Sequence, residues 1–209
     1  MAVAKAKVKR KRAARLSPEQ RRKSLLQYAI AVCAERGIAS VGHTEIAAEA
    51  HVSIPTVFRY FPTKADLDAD ILTEVHRFLI EDIVSPHLNE SVSAKESVMN
   101  VLLAFTRAID EKPNYIRIWL EWSASVRDGV WNLYLEFYEA AVGGMAHIVK
   151  RGQDDGTIRK NLDPKDAARI TVGFAHIIAH MNFSGNTRST IEHTIDSLVA
   201  GYLAVPSAK

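Results

Sequence analysis

The sequence predicts an all-α protein with a small three-helix head, a connecting helix and a larger helical body. Apolar residues recur at the three- and four-residue spacing of helices along most of the chain. No alternating strand pattern persists, and glycine, proline and aspartate separate the successive apolar patterns. With 209 residues, 47% of them hydrophobic, the chain is long enough to bury a core of this kind.

Three helices are predicted to form the head. The first begins at Ser17 and Pro18, because serine caps a helix and proline suits its first turn, and it ends at Gly37. The second helix is predicted at about 44–50, and the third follows Ser53 after a short turn.

A connecting helix from about Lys64 to Val84 leads into the body, where five longer helices are predicted. They span approximately residues 94–111, 114–127, 129–152, 164–183 and 187–203. The last two carry more apolar surface than one core needs, so we expect them to form a four-helix homodimer interface with a second copy. The apolar positions are Ile170, Val172, Phe174, Ile177, Ile178, Ile191, Ile195, Leu198, Val199 and Leu203, with Gly173 and Ala179 allowing close helix approach.

Positive charge is concentrated at the N-terminus. Residues 1–23 contain ten Lys/Arg and one acidic residue, a net charge of +9, whereas the other 17 basic and 23 acidic residues give −6. The run KAKVKRKRAAR at 5–15 has seven basic residues and too little apolar content to fold alone. We expect a mobile arm that meets a polyanion first, and a solvated tail that aids solubility is the alternative.

The composition also indicates the cellular compartment in which we expect the protein to function. Charges interrupt every apolar stretch, so no segment is expected to span a bilayer, and no apolar segment follows the basic N-terminus as in a secretory signal. Cys33 is the one cysteine, which excludes an internal disulfide, and its place in the apolar pattern of the first helix indicates a core residue. We therefore expect a cytoplasmic protein.

The second and third helices form a helix-turn-helix pattern. Ile46 and Ala47 are expected to face Val52, Val57 and Phe58 across the turn, and Phe61 also holds the third helix to the head. In such a motif the second helix places its N-terminal residues against base edges in the major groove of DNA. The residues left outside the small core are Ser53, Pro55, Thr56, Arg59 and Tyr60.

These outward-facing residues have side chains suited to DNA. Arg59 can form a bidentate pair with guanine, and Thr56 and the ring of Pro55 can contact thymine methyl groups or phosphates. Phosphate contacts, which set the register, are expected from Ser53, Thr44, Tyr60 and Lys64. In the basic arm, Arg12 and Arg15 are the candidates for the neighbouring minor groove. A helical hairpin with a solvated face is the alternative.

Residues 44–67 read TEIAAEAHVSIPTVFRYFPTKADL, which closely resembles the DNA-binding head of TetR-type regulators. The matching pattern is I-A-x-x-A-x-V-S-x-x-T-x-x-x-Y-F-x-x-K-x-x-L. In the body, GTIR at 156–159, followed by Asp163-Pro164 and Ala167-Ala168, is similar to the family's entry to its dimerisation helices. The resemblance implies a dimeric regulator that binds double-stranded operator DNA.

Two further stretches resemble the LuxR/HapR branch of vibrio-type quorum-sensing master regulators. They are RLSP at 15–18 and, above all, WLEWSASVRDGVW at 119–131. That branch usually has asparagine at the position of Arg59 and alanine at that of Pro55, so the choice of operator is open at these two positions. His51 stands where the wider family commonly has glycine, so the turn must accept a side chain there.

Aromatic residues are concentrated in three successive body helices. At helical spacing such a cluster is usually core. The resemblance implies instead a cavity whose small hydrophobic ligand changes the spacing of two heads, which must match major grooves about 34–36 Å apart or a multiple of that. The residues that the resemblance assigns to this pocket are Leu79, Phe105, Trp119 and Tyr138.

Two other classes of protein fit the residues less well. His176 and His180 share a helical face at a spacing used for zinc, but neither a metalloprotease glutamate nor a third ligand accompanies them, so no metal, cofactor or enzymatic activity is expected. A helical protein-interaction module without specific DNA binding would explain the body but not the basic arm or residues 53–64. The predicted organisation is a basic arm at 1–16, a DNA-binding domain at 17–63 and a regulatory and dimerisation domain at 64–209.

Overall fold

The structure, a computed structural model, describes residues 16–88, 91–126 and 129–206. Within these ranges the chain is helical, apart from an isolated antiparallel bridge between Ile158 and Ala204. The α-helices described there are α1 (Pro18–Arg36), α2 (His43–Glu49), α3 (Ile54–Tyr60), α4 (Lys64–Arg77), α5 (Ala94–Glu111), α6 (Pro113–Ala124), α7 (Trp131–Asp154), α8 (Pro164–Phe183) and α9 (Arg188–Leu198). The prediction of an all-α fold is confirmed.

Short turns of other helical types extend or link several of these helices. π-helical segments continue α4 through Phe78–Val84 and α9 through Val199–Leu203. Single 3-10 turns occupy Ile38–Ser40, between α1 and α2, and Ser85–His87, before α5. The predicted spans of the fourth and last helices therefore match the structure, but each helix widens into a π coil at its end.

Polar side chains fix the helix starts. At α1 the Ser17 hydroxyl accepts from the Gln20 amide (3.1 Å), and the Ser17 amide donates to the side-chain oxygen of Gln20 (2.9 Å). Thr63 and Asp66 form the same reciprocal pair at α4, and Asp163 caps α8 with its carboxylate. Each cap satisfies backbone amides that have no intrahelical partner.

The boundary between α6 and α7 differs from the predicted one. α6 ends three residues before the predicted limit of 127, and α7 begins two residues after 129. The Ser125 hydroxyl donates to the Glu121 carbonyl (2.9 Å), and Trp122 Nε1 donates to the Val130 carbonyl (3.0 Å). Side-chain bonds of this kind compete with helix continuation, and apolar spacing alone does not reveal them.

The head comprises α1, α2 and α3 and shares its core with α4. Ile46 of α2 and Val57 of α3 are buried together with Phe61, the residue directly after α3. Val52 in the turn is partly buried against the same cluster. Cys33 is buried in α1, where burial raises the pKa of its thiol to about 12, so its predicted core position is confirmed.

The body packs α5 to α9 around a core that is continuous with that of the head. α7 lies along α8, and α5 packs against both. Trp119, Trp122 and Phe137 are buried, so the aromatic cluster is part of this core. None of the helices within the described ranges is both long and apolar enough to cross a membrane.

The segment GTIR at 156–159 connects the end of α7 to the backbone around Ala204. Ile158 is buried, and its amide donates to the Gly152 carbonyl (2.8 Å). Arg159 Nε donates to the Ala204 carbonyl (2.9 Å) beside the bridge. A Cβ on Gly152 would lie 2.6 Å from the Ile158 side chain, so this close approach requires glycine.

Part of the apolar surface predicted for the last two helices is exposed, and part is buried within the subunit. Ile170 and Ile177 of α8 are exposed, and Gly173 between them has open space beside it. Seven of the apolar residues belong to the core of the subunit, where they are buried: Phe174, Ile178, Ala179, Ile191, Ile195, Val199 and Leu203. The reason is that α8 and α9 also cover α5 and α7, which occupies most of their apolar faces.

Candidate functional site

The turn between α2 and α3 sets the angle at which α3 leaves the head. His51 in this turn has a positive φ of 52°, and the amide of the next residue, Val52, donates to the Ala47 carbonyl (3.0 Å). A left-handed residue reverses the chain in little space, and glycine is the residue that does so without strain. The turn thus accepts the His51 side chain, as expected, at a cost in backbone strain.

Phe58 does not belong to the core of the head, so that prediction is wrong. Its side chain is 46% exposed and stacks on His43 of α2, with ring centroids 3.9 Å apart and planes 4° from parallel. His43 Nε2 lies 2.7 Å from the Phe61 carbonyl oxygen, which fixes the imidazole ring. Val57 and Phe61 lie four residues apart and fill the core, whereas Phe58 is rotated about 100° from Val57 around the helix.

The outer face of α3 carries the residues predicted to read bases. Pro55 and Arg59 are exposed and Thr56 is partly exposed. Arg59 makes no hydrogen bond or ion pair with any residue that the structure describes. Ser53 occupies the N-cap position of α3, and its hydroxyl pairs with the Thr56 hydroxyl (2.8 Å) and not with a backbone amide.

The residues predicted to contact phosphates have different surroundings. Thr44 is exposed in the first turn of α2, and Tyr60 is partly buried against the core. Lys64 donates to the Ile38 carbonyl (3.0 Å) and pairs with Asp68, so its ammonium already has two partners inside the chain. Its side chain is still partly exposed, and an ammonium has a third donor.

The predicted minor-groove contacts, Arg12 and Arg15, lie outside the described residues. The first described residue is Leu16, which is exposed directly before the Ser17 cap of α1.

A cavity with a water-accessible volume of about 60 Å³ lies in the body between the end of α4 and helices α5, α6, α7 and α8. Leu79, Phe105 and Trp119 line it, which is where the family resemblance puts them. Tyr138 does not line it and instead stacks on Tyr134 at 6.1 Å. The walls are almost entirely apolar, and their other members include Ile83, Leu102, Phe137, Met145 and Val172.

Trp119 contributes a buried polar atom to this mostly apolar wall. Its Nε1 is buried and has no hydrogen-bond partner in the described part of the chain. The indole packs against Phe105 (centroids 5.4 Å apart) and against His176 (4.2 Å). An indole N–H buried without an acceptor costs free energy.

His176 packs against the Trp119 indole of this wall. Its Nε2 lies 3.1 Å from the Ser123 hydroxyl, and burial lowers the pKa of the imidazole, with the nearby His180 lowering it further. Among the described residues, no group of three His, Cys, Asp or Glu side chains could hold a metal ion.

Hydrogen bonds connect the cavity helix α6 with the head. Glu121, two residues after Trp119, accepts from the Ile38 amide (2.9 Å) through its carboxylate. The Tyr115 hydroxyl, also on α6, lies 3.2 Å from the Glu74 carboxylate of α4 and 3.0 Å from Gln27 of α1. Sequence patterns do not mark such links, because each joins residues far apart in the chain.

Comparison with known proteins identifies the head and then the whole chain. Residues 25–70, which contain α2, α3 and the turn, match the family described as bacterial regulatory proteins, tetR family. Over 189 residues the chain is 32% identical to the HTH-type transcriptional regulator LuxR of Vibrio harveyi, which covers 90% of each protein. The chain belongs to the tetR family. As a tetR-family member it is a DNA-binding transcriptional regulator with a helix-turn-helix head, as the sequence predicts.

Solved structures agree with the tetR-family fold. A regulator structure from Saccharomonospora viridis in complex with choline superposes with a TM-score of 0.78 at 19% identity, covering 90% of this chain and 99% of that one. FadR from Bacillus subtilis in complex with stearoyl-CoA gives a TM-score of 0.71 at 21% identity, covering 85% and 96%. Both likenesses extend over head and body, so the tetR-family architecture is that of the whole described chain.

Proposed function

We propose that this tetR-family regulator binds operator DNA as a homodimer, with α3 of each subunit in the major groove. The main support for this proposal comes from the outer face of α3. Arg59 is exposed there and has no partner in the described chain, and Pro55 on the same face is also exposed. A guanidinium without an internal partner is free to form the bidentate pair with guanine O6 and N7. Thr56 and Pro55 then contact neighbouring base edges.

Phosphate contacts fix the register of this arrangement. Thr44 at the start of α2, with Ser53 and Tyr60 around α3, surrounds the base-reading face with hydroxyl donors. Lys64 supplies its remaining donor while its other contacts hold it against Ile38 and Asp68. We propose that Arg12 and Arg15 of the basic arm enter the adjacent minor groove, where narrow A·T stretches concentrate negative potential.

The exposed strip on α8 supports dimerisation through the last two helices. Ile170 and Ile177 are 47% and 49% exposed, and Gly173 between them would let a partner helix approach closely. On α9 and its π-helical end the outward residues are polar or small, including His193, Ser197 and Ala200. We propose that α8 supplies the apolar centre of the interface and α9 its more polar part.

The body cavity supports control by a small hydrophobic ligand. Its apolar walls suit such a ligand, and the unsatisfied Trp119 Nε1 favours one that also carries a hydrogen-bond acceptor. A volume of about 60 Å³ is well below that of typical ligand sites, so binding must move wall side chains such as Met145. Movement of α6 reaches the head through the bond between Glu121 and Ile38.

We also propose that this regulator functions in quorum sensing. It is supported by the similarity to LuxR of Vibrio harveyi over 90% of the chain and by the WLEWSASVRDGVW stretch at 119–131. If this role is right, deletion of the gene changes target transcripts at high cell density and leaves them unchanged at low density.

The experiment that tests the DNA-reading proposal replaces Arg59 with alanine. Arg59→Ala should lose roughly 1–3 kcal/mol of binding free energy on the operator and should barely change binding to random DNA, because a base contact adds little to non-specific affinity. Fluorescence anisotropy with both DNAs measures this, with Arg107→Ala, an exposed arginine on α5, as the control. Equal losses on both DNAs would make Arg59 a phosphate contact and remove the support for this proposal.

A further inference from the structure

The recognition helix α3 exposes two large apolar side chains that are not part of the hydrophobic core of the protein. Ile54 is 41% exposed at the first position of α3, and Phe58 is 46% exposed one turn later. Four residues apart on a helix, they lie on one face, and Pro55 adjoins them. The seven residues of α3 thus carry an apolar strip beside Arg59.

Phe58 is held in its exposed position. Its ring stacks on His43 at 3.9 Å, and the imidazole is fixed in turn by the contact of Nε2 with the Phe61 carbonyl (2.7 Å). Collapse of Phe58 into the core is blocked because Val57 and Phe61 already fill the inner face of α3. An aromatic ring fixed at the surface loses little entropy on binding, which is the property of a contact residue.

We propose that Ile54 and Phe58, together with Pro55, form an apolar strip that reads the 5-methyl groups of thymine in the operator. The inference rests on the proposed binding of α3 in the major groove. Thymine is the base that presents a methyl group in that groove, and apolar side chains are its complement. Ile54 lies at the N-terminal end of α3, which is the end that faces base edges in this motif.

The apolar strip adjoins the candidate DNA interface, so DNA is the partner that we expect it to contact. Arg59, which has no partner in the described chain, lies next to Phe58 in α3, and exposed Thr44 lies next to His43 in α2. A protein partner seated on Ile54 and Phe58 would have to cover the same face that contacts DNA. Arg59 and the strip together predict an operator half-site in which guanine and thymine lie within one helical turn.

Substitution of deoxyuridine for thymine tests the inference, because it removes only the methyl group. Full-length protein first selects its operator from a random DNA pool, and each thymine of a half-site is then replaced singly. At one or two positions the replacement should weaken wild-type binding about fourfold, as expected for loss of one buried methyl-sized group. At those positions Ile54→Ala or Phe58→Ala should remove the difference between the two DNAs.

Matched controls separate this result from damage to the fold. Leu135→Ala removes an apolar side chain of similar exposure from α7 and should keep the full preference for thymine. Ile54→Ala provides a variant whose folding is secure, since alanine favours the helix and Ile54 is exposed; circular dichroism checks both head variants.

The possible failures are distinguishable. A selected operator that binds equally well with deoxyuridine at every thymine overturns the strip and leaves the proposed function standing. A preference for thymine that persists unchanged in both Ile54→Ala and Phe58→Ala also overturns it. If no operator is selected, the proposed function fails and the strip fails with it.

Discussion

His51 carries backbone strain at the centre of the helix-turn-helix. Its φ of 52° lies in the left-handed region, which costs a residue with a side chain roughly 1–2 kcal/mol. Glycine avoids this cost, but it also gives the unfolded chain more conformational freedom. That freedom offsets part of the gain in stability.

We therefore expect His51→Gly to raise the free energy of unfolding by about 1 kcal/mol. Urea denaturation measures the change, and His51→Ala is the control, because alanine keeps the Cβ and should gain little. Equal stabilisation by glycine and alanine would show that the imidazole, and not the backbone, is the unfavourable element.

We expect His176 to make the stability of the body depend on pH. Burial lowers the pKa of its imidazole below 6.5 in the folded state, so the unfolded chain takes up the proton first as pH falls. The stabilising contribution is therefore complete above pH 6.5 and is lost as pH falls through the folded-state pKa.

His176→Gln should weaken this dependence. We expect the drop in melting temperature between about pH 7.5 and 5.5 to be smaller in the variant than in the wild type, since glutamine does not titrate. His87, whose pKa is also lowered by burial, is common to both proteins and cancels in the comparison. Parallel curves for the two proteins would show that His176 does not titrate in this range.

Residue types and spacing predict much of the site but not all of it. The sequence predicts that Pro55, Thr56 and Arg59 face outward, because Val57 and Phe61 define the inner face. The structure agrees: Pro55 and Arg59 are exposed and Thr56 is partly exposed. The apolar character of Phe58 predicts a core position, but its angle on the helix does not. The 100° step from Val57 was the available signal, and it indicates a flank and not the core.

At the scale of elements, α6 is the link between cavity and head. Trp119 lines the cavity on one side of the helix, and Glu121 accepts from the Ile38 amide on another. Ile38 lies in the 3-10 turn that leads into α2, so this hydrogen bond joins α6 to the segment directly before the helix-turn-helix.

Removal of the Glu121 carboxylate should break this link. Glu121→Ala leaves the Ile38 amide without its acceptor and should cost roughly 1–3 kcal/mol in the free energy of unfolding. Glu121→Gln keeps an oxygen acceptor at the same place and should cost clearly less. Urea denaturation compares the two, and hydrogen exchange at Ile38 should be faster in the alanine variant. The same loss in both variants would mean that charge, and not this hydrogen bond, is what Glu121 contributes.

Helix positions follow from the sequence more reliably than the partners of each face. The caps at Ser17, Thr63 and Asp163 start helices where local chemistry requires them. The apolar residues of α9 could not be assigned from spacing alone, because burial inside the subunit and burial against a second copy give the same periodicity. The structure decides for Ile191 and Ile195, which are buried in the subunit.

At the scale of the whole molecule, the proposed dimer sets the distance between two recognition helices. Two heads bind together only if they match major grooves about 34–36 Å apart or a multiple of that. The exposed strip of Ile170, Gly173 and Ile177 is the described surface on which we expect the two copies to meet.

A charge in this strip should separate the subunits. Ile177→Lys places an ammonium where the proposed interface buries apolar surface, so sedimentation equilibrium should show a monomer and operator affinity should fall by about tenfold or more. The fold should survive, because Ile177 is 49% exposed in the single subunit. Leu135→Lys, at an exposed position on α7, is the control and should stay dimeric. A dimeric Ile177→Lys protein would place the interface elsewhere.

We propose that a dimer of this protein recognises a specific operator through α3. Selection of fragments from the genome of its own organism by full-length protein, followed by mobility-shift titration at several salt concentrations, tests it most directly. The predicted result is a small set of fragments with two related half-sites, bound far more tightly than random DNA, with affinity that falls steeply as salt rises because counterions are released. Equal affinity for all fragments at moderate salt would contradict the claim.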